Sequence, residues 1–257
     1  MPELPEVETL CRQLRGKVVG QVIRSMTVYD EKLSDLADVR GQRITDVRRI
    51  GKTVVCTLLD GRRLVVHLRM SGRLLWREHQ ATEPHTRLRL GFAVGDLDLV
   101  DPRRFATVRV ADEPPQVCRN DFITGFDRRS FLARQACRRI AVKLVLMDQA
   151  AVAGIGNIYA CEILHRARIS PLRPAAEISK EEWSRIFREA RLVLQCGIAK
   201  RGTSISDWRD LYGAPGENQH TLAVYAREGK ACPVCGEVIV RMRQGGRSTF
   251  YCPRCQT

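Results

Sequence analysis

Residues 53–68 read TVVCTLLDGRRLVVHL. Two runs of β-formers flank Asp60-Gly61, and that dipeptide between such runs is a strong short-range hairpin signal. A second arrangement of the same kind follows, RLRLGFAV at 87–94 and LDLV at 97–100, here around Gly95-Asp96. Working outward, residues 1–111 read as a β-rich domain. Its opening stretch, Pro5 to Leu14, predicts a short helix, with Glu6, Glu8 and Thr9 early and Arg12 late, where the helix dipole favours them.

Beyond the hairpins the pattern changes. Residues 112–125 contain Pro114-Pro115 and little periodicity, and read as a linker. FLARQACRRIAVKLVLMD, IYACEILHRARI and KEEWSRIFREARLVLQCGIAK then carry apolar residues at three-to-four spacing, which predicts helices over much of 126–225. The last stretch, 226–257, is a third unit. No internal repeat and no low-complexity tract interrupts the chain.

The 257 residues hold 43 Lys and Arg against 29 Asp and Glu, a formal charge of +14, with an isoelectric point near 9.7. That surplus favours a polyanionic partner, though charge alone leaves a merely basic soluble protein open. A hydrophobic share of 44% is ordinary for a globular chain and excludes wholesale disorder. The lack of an 18-residue apolar run excludes a membrane-spanning helix. MPELPEVETL lacks the basic-then-apolar pattern of a secretory signal, so a cytoplasmic location is expected. There the ten cysteines do not read as a disulfide framework.

Four of them have another explanation. Cys232, Cys235, Cys252 and Cys255 form C-x2-C-x16-C-x2-C, which suits one tetrahedral Zn²⁺. Four thiolates leave no open position, so the ion is structural, and it supplies folding free energy that so short a segment lacks. The other six, Cys11, Cys56, Cys118, Cys137, Cys161 and Cys196, are scattered and read as small, mostly buried apolar residues. Between the cysteine pairs lies VIVRMRQGGRSTFY. Residues 226–257 carry six Lys and Arg and two Glu, and the Gly245-Gly246 turn presents Arg247 at its tip. Such a hairpin suits a DNA groove; a solvated surface turn is the plainer alternative.

Two further features are weak when read alone. GIGN, residues 154–157, follows one apolar helix and opens another. Its glycines permit close backbone approach and Asn157 can cap the helix, which together make an anion site. An ordinary helix connection explains it equally. Pro2 follows Met1, which is normally removed before a small residue, so the mature chain would begin with a secondary amine. An α-amino group titrates at about 7.7–8.0 against about 10.4 for lysine, and a neutral amine can form a Schiff base with a sugar carbon. Glu3 and Glu6 could supply acid–base catalysis. From the residues alone, a chain start with two exposed acids is the plainer reading.

The joint pattern is far more specific. MPELPEVET, Gly51-Lys52, HLRMSG at 67–72, DPRRF at 101–105, GIGNIYA at 154–160 and the terminal finger occur in that order. In this the whole chain resembles the formamidopyrimidine-DNA glycosylases, bacterial enzymes of oxidised-purine repair. The resemblance implies an α+β chain: a β-sandwich at 1–111, a helical helix–two-turn–helix domain at 126–225 and a four-cysteine zinc finger at 226–257, with DNA in the cleft between the domains. It implies excision of 8-oxoguanine and formamidopyrimidines from duplex DNA, cleavage at abasic sites by β- and δ-elimination, and a cytoplasmic, nucleoid-associated monomer. Zinc is the one cofactor.

Residue by residue, the resemblance makes Pro2 the nucleophile at deoxyribose C1′, Glu3 the general acid and Glu6 a support. Lys52 matches a lysine that holds phosphate near the lesion, and Lys143 a second lysine. Gly156 and Asn157 match a phosphate clamp, and Arg247 the finger arginine. Met70, Arg103 and Phe105 match the residues that enter the duplex once the target base leaves the stack. Without the resemblance, Met70 and Phe105 read as core.

Two departures stand out. Arg69 occupies a position where many relatives have glycine. Glu217 and Asn218 lie in the loop 213–227, where relatives often carry aromatic residues over the flipped base. Three rivals remain open here: an endonuclease VIII type acting on oxidised pyrimidines, against which DPRRF argues; a DNA-binding homologue without catalysis; and a zinc-ribbon regulator, in which MPELPEVE has no role.

Overall fold

The computed structural model describes residues 1–78, 81–116 and 120–257; Cys118 and part of the expected linker lie outside them. The chain forms two compact units. One comprises residues 1–116 and 200–219, the other the described residues of 117–199 and 220–257. Among the described residues no helix is long and apolar enough to cross a membrane.

The first unit opens with α1 (Leu4–Val18), then β1 (Ser25–Val28), β2 (Ile44–Ile50), β3 (Thr53–Leu58), β4 (Arg63–His67), β5 (Arg73–Arg77), β6 (Thr86–Phe92), β7 (Gly95–Val100) and β8 (Thr107–Ala111). The strands make two four-stranded sheets, β1-β6-β7-β5 and β2-β3-β4-β8, antiparallel throughout. The 53–68 hairpin is β3 paired with β4, Thr57 opposite Arg63, and Gly61 takes the positive φ its turn requires.

One core joins both sheets and the helix. Val7, Leu10, Leu14 and Val18 recur along one face of α1 and meet Val54, Cys56, Leu64 and Val66 of one sheet and Leu74, Trp76, Leu88, Leu97 and Leu99 of the other. Each such buried side chain contributes about 1.5–3 kcal/mol. Trp208 and Leu211 join the same core, which is why residues 200–219 fold with this unit rather than with the helices that precede them.

The second hairpin differs from its sequence reading. Phe92 pairs with Gly95, so the turn is Ala93-Val94, while Gly95 and Asp96 belong to β7. Gly95 is needed for close packing: an added Cβ would come within 2.5 Å of Arg77 O and 2.7 Å of the Trp76 ring.

The second unit holds α2 (Arg128–Gln135), α3 (Val142–Met147), α4 (Asn157–Ala167), α5 (Lys180–Ala199), β9 (Val240–Gln244) and β10 (Arg247–Tyr251). The run 131–148, helical in periodicity, is broken between α2 and α3. Its backbone is drawn off there to 173–176: Val142 N donates to Arg173 O, Ala175 N to Ile140 O and Ala176 N to Arg138 O. Phe122, Phe126, Phe131, Trp183 and Phe187 pack ring on ring, centroids 4.3–5.9 Å apart. Cys11, Cys56 and Cys161 are buried as expected, but Cys137, in the turn that follows α2, and Cys196, on the outer side of α5, are exposed.

Candidate functional site

Helix α1 is started by its own acids. Glu6 Oε2 accepts from Glu3 N at 2.8 Å, and the Glu3 side chain faces the Glu6 amide, closing a capping box. The other Glu6 oxygen accepts from Thr203 N at 2.7 Å. Asn218 Nδ2 in turn donates to Thr203 Oγ1 at 2.8 Å. Gly202 lets the segments meet: its φ is +84°, and a Cβ there would come within 2.8 Å of Glu6 Cγ. Glu3, Glu6, Thr203 and Asn218 are all buried, and Pro2 is buried beside them in sequence. The two acids are therefore not the exposed pair that the residues alone imply.

Lys52, also buried, sits in the Gly51-Lys52 turn between β2 and β3. Arg49 anchors that turn to α1. Its Nε donates to Glu8 Oε2 at 3.1 Å and its Nη1 to Gly51 O at 2.9 Å.

Met70, Arg103 and Phe105 lie on two loops pinned by one carboxylate. Asp101, wholly buried, accepts from Ser71 Oγ at 2.5 Å, Arg103 N at 3.2 Å and Ala106 N at 2.7 Å. Arg87, itself paired to Asp30, reaches Asp101 at 3.4 Å. Burial alone would raise the Asp101 pKa, but the hydrogen bonds from Ser71 and the amides of Ala106, Arg103 and Phe105 outweigh it and hold the carboxyl below its ordinary value. With polar groups consumed inward, Met70 and Phe105 face out, 47% and 48% exposed, and the Arg103 guanidinium lies 4.8 Å from the Phe105 ring centroid. An exposed Met and Phe on pinned loops are poor core residues and good wedges.

In the second unit Lys143 is fully buried. Its Nζ donates to Asn157 Oδ1 at 2.6 Å and to Thr249 Oγ1 at 2.7 Å, while Asn157 Nδ2 donates to Ser248 O at 2.8 Å. Asn157 does not cap α4. Gly156 occupies the cap position, and the Asn157 side chain is spent on Lys143 and β10. Arg247 opens β10 after Gly245-Gly246, both at positive φ, and is exposed. Glu162 on α4 accepts from the amides of Ala223, Val224 and Tyr225 at 2.8–3.0 Å, and burial holds its carboxyl above the ordinary value despite them.

The four finger cysteines converge, all sulfurs lying within 4.8 Å of one another. Cys235 and Cys252 are 3.5 Å apart, Cys232 and Cys255 3.9 Å. Tetrahedral zinc with bonds of about 2.3 Å needs sulfurs about 3.8 Å apart, so the donors fit one structural Zn²⁺. His165 Nε2 lies 3.4 Å from Cys232 Sγ, a partner outside the ligand set that orients it.

Thr203, Asn218, Ser71, Asp101 and Glu162 escape the sequence reading as positioning groups. Asp101 and Ser71 lie inside its motifs and Asn218 is one of its departures; Thr203 carries no local signal.

Comparison with known proteins fits this layout. The formamidopyrimidine-DNA glycosylase N-terminal domain matches residues 1–108, the H2TH domain of the same enzymes 118–208, and the zinc finger found in FPG and IleRS 229–257. The formamidopyrimidine-DNA glycosylase of Desulfitobacterium hafniense is 38% identical over 274 aligned positions, covering all of both chains. That of Thermus thermophilus is 40% identical over 267, covering 100% and 98%. Among solved structures, a Lactococcus lactis FPG mutant in complex with a Fapy-dG containing DNA superposes with TM-score 0.90 at 30% identity over both full chains. The MutM (FPG) protein from Thermus thermophilus gives 0.89 at 36%, covering 99% and 98%.

Proposed function

The chain belongs to the formamidopyrimidine-DNA glycosylase family, and we propose that it removes oxidised purines from duplex DNA through an imine on Pro2 and then nicks the strand. The observation that carries this reading is the buried Glu3–Glu6 start of α1. It sets two acids beside Pro2, whose nitrogen becomes a secondary amine once Met1 is removed, and fixes one of them by bonds from Glu3 N and Thr203 N. With Met1 removed, Pro2 presents a secondary amine, which attacks in its neutral form.

In this mechanism the Pro2 nitrogen bonds to C1′ as the C1′–base bond breaks, and Glu3 protonates the opening sugar oxygen. The proton that the amine loses passes to the departing purine, and the nitrogen lone pair then forms an iminium at C1′ as the C1′–O4′ bond breaks. That electron sink acidifies C2′–H, so removal of its proton expels the 3′ phosphate, and a further elimination expels the 5′ phosphate. Water releases the sugar fragment and restores Pro2. Lys52 holds phosphate beside the lesion. Met70 and Phe105 fill the stack and Arg103 donates to the base left unpaired. Asn157, Lys143 and Arg247 organise the second unit's contacts to the backbone, on a finger held by zinc.

Borohydride trapping tests the proposal. A duplex with 8-oxoguanine opposite cytosine should give a covalent protein–DNA adduct, nearly abolished in Pro2→Gly. An adduct formed mainly on an oxidised-pyrimidine duplex would keep the imine and overturn the purine specificity. Salt-sensitive binding without any adduct would overturn catalysis.

A further inference from the structure

The two cysteine pairs of the finger are each tied to α4 or to the segment just after it. The second pair is tied through Gln256, whose Oε1 accepts from Cys252 N at 2.9 Å and whose Nε2 donates to Ile169 O at 2.9 Å. Ser170 N also donates to Thr257 O at 3.1 Å. The first pair is met by a side chain of α4 itself, since His165 Nε2 lies 3.4 Å from Cys232 Sγ. We propose that His165 donates its Nε2–H to the Cys232 thiolate and thereby holds zinc in the finger, as a positioning residue outside the four ligands.

The need for such a donor follows from charge. Zinc with four thiolates is a doubly negative centre. Its Cys232 corner meets the last turn of α4, where His165 stands and where the carbonyls of a helix are themselves negative. His165 and Cys232 are 4% and 3% exposed, so water does not solvate that corner, and buried charge without a donor is costly. In the second pair a backbone amide meets the need, Cys255 N donating to Cys252 Sγ at 3.4 Å. In the first pair the imidazole does so. A ligating thiolate only accepts, which places the ring proton on Nε2. The other nitrogen, Nδ1, is buried without a partner, so Nε2 is the end of the ring that the fold uses. A charge-assisted bond there offsets the unmatched Nδ1. The donor is also rigidly mounted. His165 lies four residues after Cys161 on one face of α4, and Cys161 is packed in the finger core with Cys232 and Cys252.

The test uses the full-length protein and two readouts that do not depend on its activity. Zinc affinity is measured by competition with a chelator for wild type, His165→Phe and His165→Gln. The Phe variant keeps a ring without a donor and should hold zinc about 10–100-fold more weakly. The Gln variant can place a side-chain N–H at similar reach and should recover most of that loss, which separates a lost donor from lost packing. The second readout is taken in wild type, so it stands even if a variant folds poorly. With ¹¹³Cd in place of zinc, the His165 Nε2–H proton should show scalar coupling to the metal across the hydrogen bond to sulfur. If His165→Gln fails to recover zinc affinity, that coupling decides whether the bond exists. No coupling in wild type, or zinc held as tightly by His165→Phe as by wild type, overturns the proposal.

Discussion

Ser71 Oγ donates to Asp101 at 2.5 Å, and this bond ties the loop bearing Met70 to the loop bearing Arg103 and Phe105. Removing one end should loosen both. Ser71→Ala should cost about 1 kcal/mol, and Asp101→Asn about 2–3 kcal/mol, because it also leaves the buried Arg87 with one carboxylate fewer. Urea unfolding measures these costs. Single-turnover excision should fall further than stability accounts for. Excision at the wild-type rate in folded Asp101→Asn would mean that the loops keep their geometry without the carboxylate.

His67 makes the same region sensitive to acid. Its Nδ1 accepts from Arg69 N at 3.1 Å, and burial, then the charges of Arg69 and Lys52, depress its pKa to about 4. An unfolded histidine titrates near 6.5. Between those values the unfolded chain binds the extra proton, so stability present above pH 6.5 is lost as pH falls toward 4. His67→Asn keeps an acceptor without the titration. Its unfolding free energy should fall less steeply than wild type across that window; parallel curves would remove His67 as the cause.

Arg69 holds φ at +55°, the left-handed region that costs a residue with a Cβ about 1 kcal/mol. Arg69→Gly relieves that strain while adding backbone entropy to the unfolded chain. The net change in stability should therefore stay within about 1 kcal/mol of zero. DNA affinity should fall with the lost cation. A large destabilisation would show that the Arg69 side chain, rather than its backbone bond to His67, holds the turn.

What the sequence disclosed and what it hid divide along contact range. The 53–68 hairpin and the zinc ligands are signalled by adjacent residues, whereas Met70 and Phe105 read as core from their neighbours alone and are exposed. The β6–β7 turn sits two residues from its expected place because Gly95 looks like a turn glycine, yet its smallness serves the Trp76 ring. Asn157 has the chemistry of a cap, but Lys143 and Ser248 claim its side chain. The Glu6–Thr203 bond spans 197 positions, and no local pattern announces it. Asn218 reads as a departure in the lesion loop, and nothing local announces that it is buried and donates to Thr203 Oγ1.

The zinc prediction follows from what the finger holds. Its core is small, Val224, Ile239 and Phe250 with Cys161 and two ligand cysteines, too little apolar surface to fold such a segment unaided. Zinc binding of this kind supplies about 10–16 kcal/mol in isolated finger peptides, so its loss should unfold the hairpin. Thr249 on β10 accepts from Lys143 and Ser248 O from Asn157, so melting β10 takes one partner from each and leaves them only their mutual bond among these. The sandwich core draws on none of these groups. Chelation, or Cys252→Ser, should therefore release one zinc per chain and split thermal unfolding into two transitions, the later one near the wild-type midpoint. Affinity for an abasic duplex should drop at least tenfold. A metal-free chain that unfolds in one unchanged transition and binds DNA as before would show that the hairpin stands without its ion.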